Sequence, residues 1–334
     1  MKETVLVTGG AGFIGSHVAK HLLNIGFGVV VVDDLSGGFE ENLPKGAEFF
    51  QGDAGEAELI ELLFEKYNFR HIFHLAAYAA EGLSHFIRGF NYRNNLLTSI
   101  TLINAAVNHE VKTFVFTSSI AVYGKNQLPM TEEMVPCPED PYGISKIAVE
   151  HDLEAASKMF GLNYVVFRPH NVYGIHQNLG DPYRNVIGIF MNQIMNDLPL
   201  SVFGDGLQKR AFSHIDDVAP VIAKSVLVPE ASGKVFNIGA DEAISINDLA
   251  EKVMTTMGKK VSINHFPPRL EVKDAFASHE KVRKIFKLGN NVVSIDQGLA
   301  EMAEWAKKTG PRKGKPFGPI EIAKNLPPSW KKLC

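Results

Sequence analysis

A chain of 334 residues, 45% hydrophobic and with a formal net charge of −3 at pH 7, can bury a substantial core as one large or two modest domains. That balance leaves no basic excess for nucleic acid and no charge run suited to a membrane surface. Its two cysteines, Cys137 and Cys334, supply neither a disulfide framework nor a metal-ligand cluster.

The first predicted strand is the apolar, β-branched run from Thr4 to Thr8. It ends in Gly9, Gly12 and Gly15, spaced G-x-x-G-x-x-G, and a helical pattern follows to Leu23. Glycines at a strand-to-helix turn let the backbone approach a pyrophosphate, and the helix N-terminus then offers free N–H groups and a favourable dipole. A second strand, Val29 to Val32, ends in Asp33, roughly 20 residues after the loop, where a carboxylate accepts both ribose hydroxyls. A carboxylate there repels a 2′-phosphate, so the expected dinucleotide is NAD rather than NADP. A first strand starting by Thr4 leaves no room for a secretory leader, and no apolar run is long enough to span a membrane. The expected compartment is the cytoplasm.

Further strands are predicted at Glu48–Gln51, His71–Leu75, Thr113–Thr117 and Tyr164–Arg168, with amphipathic helices between most of them, as at Glu56–Tyr67 and Asn95–Asn108. Short apolar strands joined by helical crossovers imply a doubly wound parallel sheet covered on both faces, a Rossmann-type α/β fold. Next comes Glu139-Asp-Pro-Tyr-Gly-Ile-Ser-Lys146, a helix entered after Pro141. Its Tyr142 and Lys146 stand at i and i+4, so phenol and ammonium share one face. A neighbouring cation and an oxidised nicotinamide both favour the phenolate. A tyrosine so poised can take a proton from a sugar hydroxyl while hydride leaves the same carbon. Beyond Arg168, Gly, Pro and Asn become frequent and strand spacing turns irregular. A smaller C-terminal α/β domain is expected over 171–308, after a dinucleotide-binding domain at 1–170, with a return to the first domain within 208–240 around Lys234–Ile238. Ser245 reads as the N-cap of a helix to Met257, with Asp248 three residues on. The last helix is predicted over Ile295–Lys308. An extension at 309–334 follows, basic and proline-rich at first. It is either flexible or pinned across the body by Phe317, Ile320, Ile322 and Trp330.

Five motifs occur in order: Thr8-Gly-Gly-Ala-Gly-Phe-Ile-Gly15, Leu75-Ala-Ala77, Thr117-Ser-Ser119 before Val122-Tyr-Gly124, Tyr142-x-x-x-Lys146, and Arg168-Pro-His-Asn-Val-Tyr-Gly174. Together they resemble the extended short-chain dehydrogenase/reductase family, and within it the nucleotide-sugar epimerases similar to UDP-glucose 4-epimerase, over roughly residues 4–305. The resemblance implies catalytic roles for Ser119, Tyr142 and Lys146: Ser119 on the reacting C4 oxygen, Tyr142 as base, and Lys146 gripping the nicotinamide ribose and lowering the phenol's pKa. It implies NAD contacts from Gly9, Gly12, Phe13, Ile14 and Gly15 in the loop. Asp33 and Asp34 would meet the adenosine ribose, and Asp53 with Ala54 the adenine. Leu75, Ala76, Ala77, Asn94, Ser118 and His170 would lie along the rest of the cofactor. For the UDP-sugar it implies Asn171 and Asn185 at the diphosphate-sugar region, Val202 and Phe203 against the uracil, and Arg210 with Arg269 on the diphosphate. A homodimer through the helices around Asn95–Asn108 and Ile144–Phe160 is also implied.

Ile120 and Ala121 stand where the family's 4,6-dehydratases carry an Asp-Glu pair and its decarboxylases keep a glutamate. Neither can move a proton. The reaction left is C4 inversion through a 4-keto sugar: hydride passes to NAD, the sugar turns, and hydride returns to the other face. UDP-glucose/galactose leads among substrates, with UDP-N-acetylglucosamine and UDP-glucuronate forms beside it. The position that gates C2 substituents falls near Ala275, or by a one-residue shift at Asp274 or Phe276, while Arg184 and His176 could meet a C6 carboxylate. A dehydratase or reductase of the same family is a rival reading, as is a non-enzymatic NAD-binding sensor or scaffold. Retention of Ser119, Tyr142 and Lys146 together weighs against the last.

Overall fold

The computed structural model describes residues 2–269, 274–289, 292–314 and 317–331. Its centre is a seven-stranded sheet in which every neighbouring pair runs parallel. In chain order the strands are β1 (Thr4–Thr8), β2 (Gly28–Asp33), β3 (Glu48–Gln51), β4 (Phe69–His74), β5 (Thr113–Thr117), β6 (Tyr164–Pro169) and a late strand, Lys234–Ile238. Across the sheet the order is Lys234–Ile238, β6, β5, β4, β1, β2, β3. Strand order reverses between β1 and β4, and in such sheets the ligand crevice opens at the carboxyl ends of those strands.

Period-two alternation divides the core. Val5, Val7, Val29 and Val31 point into one hydrophobic layer, and Leu6, Val30 and Val32 into the other. The first layer packs helix Phe13–Ile25 against helix Ile215–Lys224. The second is closed by helices Ala57–Lys66, Thr98–Asn108 and Pro141–Phe160. Covering both faces explains why the strands are near-continuous apolar runs. Asp140 caps helix Pro141–Phe160, its carboxylate accepting the amide of Gly143 at 2.9 Å, and Pro141 occupies the first helical turn, where its missing N–H costs nothing. That cap fixes where Tyr142 emerges.

A third core lies beyond the sheet's carboxyl edge. Helices Val186–Met195, Ile246–Met257 and Ile295–Thr309 pack there with the short strand Leu200–Phe203. Ser245 caps the second of these through the amide of Asp248, and Ser294 with Gln297 forms a capping box on the third. The tail is not a loose extension. Phe317, Ile320, Leu326 and Trp330 join Leu83, Ile87 and Tyr183 in a fourth apolar cluster that crosses the cleft. Ile322 stays 41% exposed but donates its amide to the carbonyl of Phe86. No helix among the described residues is long and apolar enough to cross a membrane.

Candidate active site

One cleft of about 1230 Å³ runs from the glycine turn, past the ends of β4 and β5, to the third core. Its floor is the turn after β1. Gly9 has φ +72°, and a Cβ there would lie 2.6 Å from the backbone nitrogen of Ala76; a Cβ on Gly15 would lie 2.0 Å from the carbonyl oxygen of Gly9. Backbone therefore approaches backbone at both points, where only glycine fits. The helix N-cap is Gly12, so no capping side chain covers the first-turn amides, and Phe13, Ile14 and Gly15 line the cleft. Asp33 sits at the end of β2 and accepts the amides of Ala11 at 3.0 Å and Leu35 at 2.9 Å. Burial raises the pKa of its carboxyl, and those two amides oppose the shift. The cradle thus has the shape and donor set that a dinucleotide requires: side-chain-free turns, free amides and a carboxylate at ribose distance along the chain. Asp34, Asp53, Ala54, Leu75, Ala76 and Ala77 continue the same wall. Asn94 reaches it from a π-helical turn, Arg93–Leu97, and donates to Asn95 at 3.1 Å.

Ser119, Tyr142 and Lys146 converge at the middle of the cleft, all buried. Ser119 ends an extended segment and caps the short turn Ile120–Tyr123, its Oγ accepting the amide of Ala121 at 3.1 Å. The Ser119 side chain lies near enough to the Tyr142 phenol to favour its ionised form. Lys146 lies over the ring of Tyr142, 5.7 Å from its centroid, and donates to the carbonyl of Thr117 at 2.8 Å.

Burial dominates the phenol and pushes its pKa up, Glu81 adds to the rise, and Ser119 pulls against it. Lys146 itself is lowered to about 7 by burial, partly opposed by Glu150. One N–H of Lys146 is held by the Thr117 carbonyl while the side chain lies over the phenol ring. Ser118 borders the cleft as well. It donates to Glu150, which holds Arg168 in a buried ion pair, and that guanidinium lies over Tyr123. His170 borders the cleft with Nδ1 against the carbonyl of Ala211 and Nε2 3.0 Å from His279. Burial keeps it neutral, its pKa lowered to about 3.

Asn171, Asn185, Phe203, Arg210 and Arg269 line the far half. Val202 departs from the expectation: strand alternation sends its side chain into the third core, and Ser201 and Phe203 on either side border the cleft instead. Phe203 carries the Arg269 guanidinium at 3.4 Å from its ring centroid. Of the three C2-gate candidates, Ala275 borders the cleft, while Asp274 accepts the amide of Lys209 and the Phe276 carbonyl accepts the amide of Met130. Arg184 borders it too, paired with Asp181 at 2.6 Å and lying over Tyr78. His176 does not: it packs on His17 and reaches Ser16 at 3.1 Å, behind the first helix. Sequence reasoning missed Tyr78, Tyr183 and the tail residues Arg312, Lys313 and Trp330 as parts of this wall. The one signal for them was the aromatic content of an otherwise basic tail.

A parallel sheet with this strand order, a glycine cradle and a buried Ser-Tyr-Lys group defines a dinucleotide-dependent enzyme that works on carbinols. The sequence profile of the NAD dependent epimerase/dehydratase family matches residues 5–239, and the chain belongs to that family. A UDP-glucose 4-epimerase of Mycolicibacterium smegmatis is 32% identical over 90% of this chain and 97% of its own. The crystal structure of UDP-glucose 4-epimerase with UDP-glucose from Thermotoga maritima superimposes with a TM-score of 0.84 at 34% identity, covering 92% of this chain and 99% of that one. The UDP-glucuronic acid 4-epimerase from Bacillus cereus, in complex with UDP-glucuronic acid and NAD, gives a TM-score of 0.83 at 29% identity and the same coverage.

Proposed function

We propose that this enzyme interconverts the C4 epimers of a UDP-hexose, with NAD held by the protein throughout the cycle. The observation that carries the reading is the convergence of buried Ser119, Tyr142 and Lys146 at the cleft centre, with Ile120 and Ala121 on the wall beside them. Tyr142 takes the proton from the C4 hydroxyl, and Ser119 hydrogen-bonds the same oxygen as it becomes a carbonyl. NAD, when bound, supplies the hydride acceptor and donor and brings positive charge to a phenol that burial alone makes a weak acid. Gly9, Gly12, Gly15, Asp33, Asp34, Asp53 and Lys146 would hold it. Ile120 and Ala121 offer no proton transfer at C5 or C6, which favours inversion over elimination. Asn171, Asn185, Arg210 and Arg269 would hold the diphosphate-sugar while the 4-keto sugar turns.

The sugar series favoured is glucose/galactose or its 2-N-acetyl form. Ala275 leaves space at the cleft wall, whereas Arg184 is already neutralised by Asp181 and is not waiting for a uronate carboxyl. Two cysteines without a disulfide framework suit a reducing compartment, so the cytoplasm is the proposed location, and a homodimer the proposed assembly. The purified protein should release NAD on denaturation and convert UDP-galactose or UDP-N-acetylgalactosamine with no cofactor added. Turnover that depends on added NADH and yields a reduced sugar would make it a reductase instead.

A further inference from the structure

The tail crosses the cleft and is anchored at both lips. Asn192, on the third core, exchanges two hydrogen bonds with the backbone of Arg312 at 3.0 Å each, and the Arg312 guanidinium lies over Phe39 and pairs with Glu41 beyond β2. Phe317 packs between Tyr78 and Phe90, and its amide donates to the Tyr183 hydroxyl at 3.2 Å. The carboxylate of Glu321 accepts the amides of Gly89 and Phe90 at 2.6 and 2.8 Å. These anchors deliver Trp330 to the cleft, 97% buried, with its ring edge-on to Phe86 and Tyr183. There the guanidinium of Arg269 contacts two aromatic faces at once: Phe203, 3.4 Å from the ring centroid, and Trp330, 4.6 Å from it. The two rings can be no further apart than those two distances taken together. The guanidinium fills the gap between the two rings, and a stacked arginine–aromatic platform of this kind suits base stacking, because every base presents a π-face.

We propose that Trp330 is an aromatic wall of the nucleotide-base site: the C-terminal segment closes that end of the cleft, and the base of the nucleotide sugar stacks on the platform that Trp330, Arg269 and Phe203 form. The proposal rests on the UDP-sugar reading and adds to it a residue from outside the span that the family profile matches.

The chain has two tryptophans, Trp305 and Trp330, which makes emission a direct report on the site. UDP should quench the emission of the wild type and of Trp305→Phe alike, and leave Trp330→Phe silent although that variant still binds UDP. In calorimetry Trp330→Ala should bind UDP about 5- to 150-fold more weakly, the range for a lost base–aromatic stack, and keep its full complement of NAD. Quenching that persists in Trp330→Phe would overturn the proposal, as would unchanged UDP affinity in Trp330→Ala. Should Trp330→Ala fail to fold and lose NAD, the Trp305→Phe and Trp330→Phe titrations decide alone. A wild type that carries NAD but does not bind UDP would instead remove the UDP-sugar reading on which the proposal rests.

Discussion

Lys146 is hydrogen-bonded to the backbone carbonyl of Thr117 at 2.8 Å, the residue that leads into the Ser118-Ser119 pair. The ammonium is therefore tied to the end of β5, and its ring contact with Tyr142 is at 5.7 Å. It holds the serine strand and the tyrosine helix at one spacing, and burial lowers its own pKa to about 7.

That shift has a pH consequence for the cofactor-free protein. Between about 7 and 10.5 the unfolded chain carries a protonated lysine and the folded chain a neutral one. The unfolded state binds more protons in that window, so this group makes stability rise with pH across it. Thermal melts of the stripped protein should show that slope, and Lys146→Met should flatten it. An identical slope in the variant would show that Lys146 keeps an ordinary pKa.

Tyr142→Phe should retain NAD and the fold while turnover falls on the order of 10²–10⁴, the range for a lost general base. Steady-state rates with the cofactor content measured on the same sample check this. Near-normal turnover would remove Tyr142 from the chemistry.

Glu150 is buried, takes the Ser118 hydroxyl and pairs with Arg168. Glu150→Ala leaves that guanidinium buried without its counter-charge, and breaking such a pair costs about 3–5 kcal/mol. Denaturant unfolding should show a loss of that size. A change below about 1 kcal/mol, the scale of an exposed pair, would mean that Arg168 finds solvent.

The parallel sheet was legible because strands buried on both faces must be apolar throughout, so Val29–Val32 and Thr113–Thr117 announce themselves. Glycine spacing and the acid ending β2 marked the cradle for the same kind of reason: each is a local steric or electrostatic requirement. Contacts set by tertiary packing were not legible. Nothing local shows that Lys146 meets a carbonyl, that Ser118 turns to Glu150, or that His176 faces the back of the first helix. Val202 was misplaced because a motif was carried over as a block, whereas strand alternation puts only every second side chain on the cleft. The tail's path depends on partners at residues 78–90 and 183, more than a hundred positions away, and only its aromatics hinted at it.

Leu97, Ile144, Met159 and Phe160 are exposed apolar residues on or beside the helices expected to form a two-fold interface. Light scattering should give a dimer mass, and Phe160→Glu combined with Leu97→Glu should shift it toward the monomer. A concentration-independent monomer in the unaltered protein would rule the dimer out.

In the proposed cycle hydride leaves C4 and returns to it without exchanging with water. Incubation in deuterium oxide with UDP-galactose, UDP-N-acetylgalactosamine and UDP-galacturonate, each alone and without added cofactor, followed by NMR of the product, tests it most directly. At least one of them should give a gluco-configured product with protium retained at C4. Deuterium at C4, or a dehydrated or decarboxylated product, would contradict it.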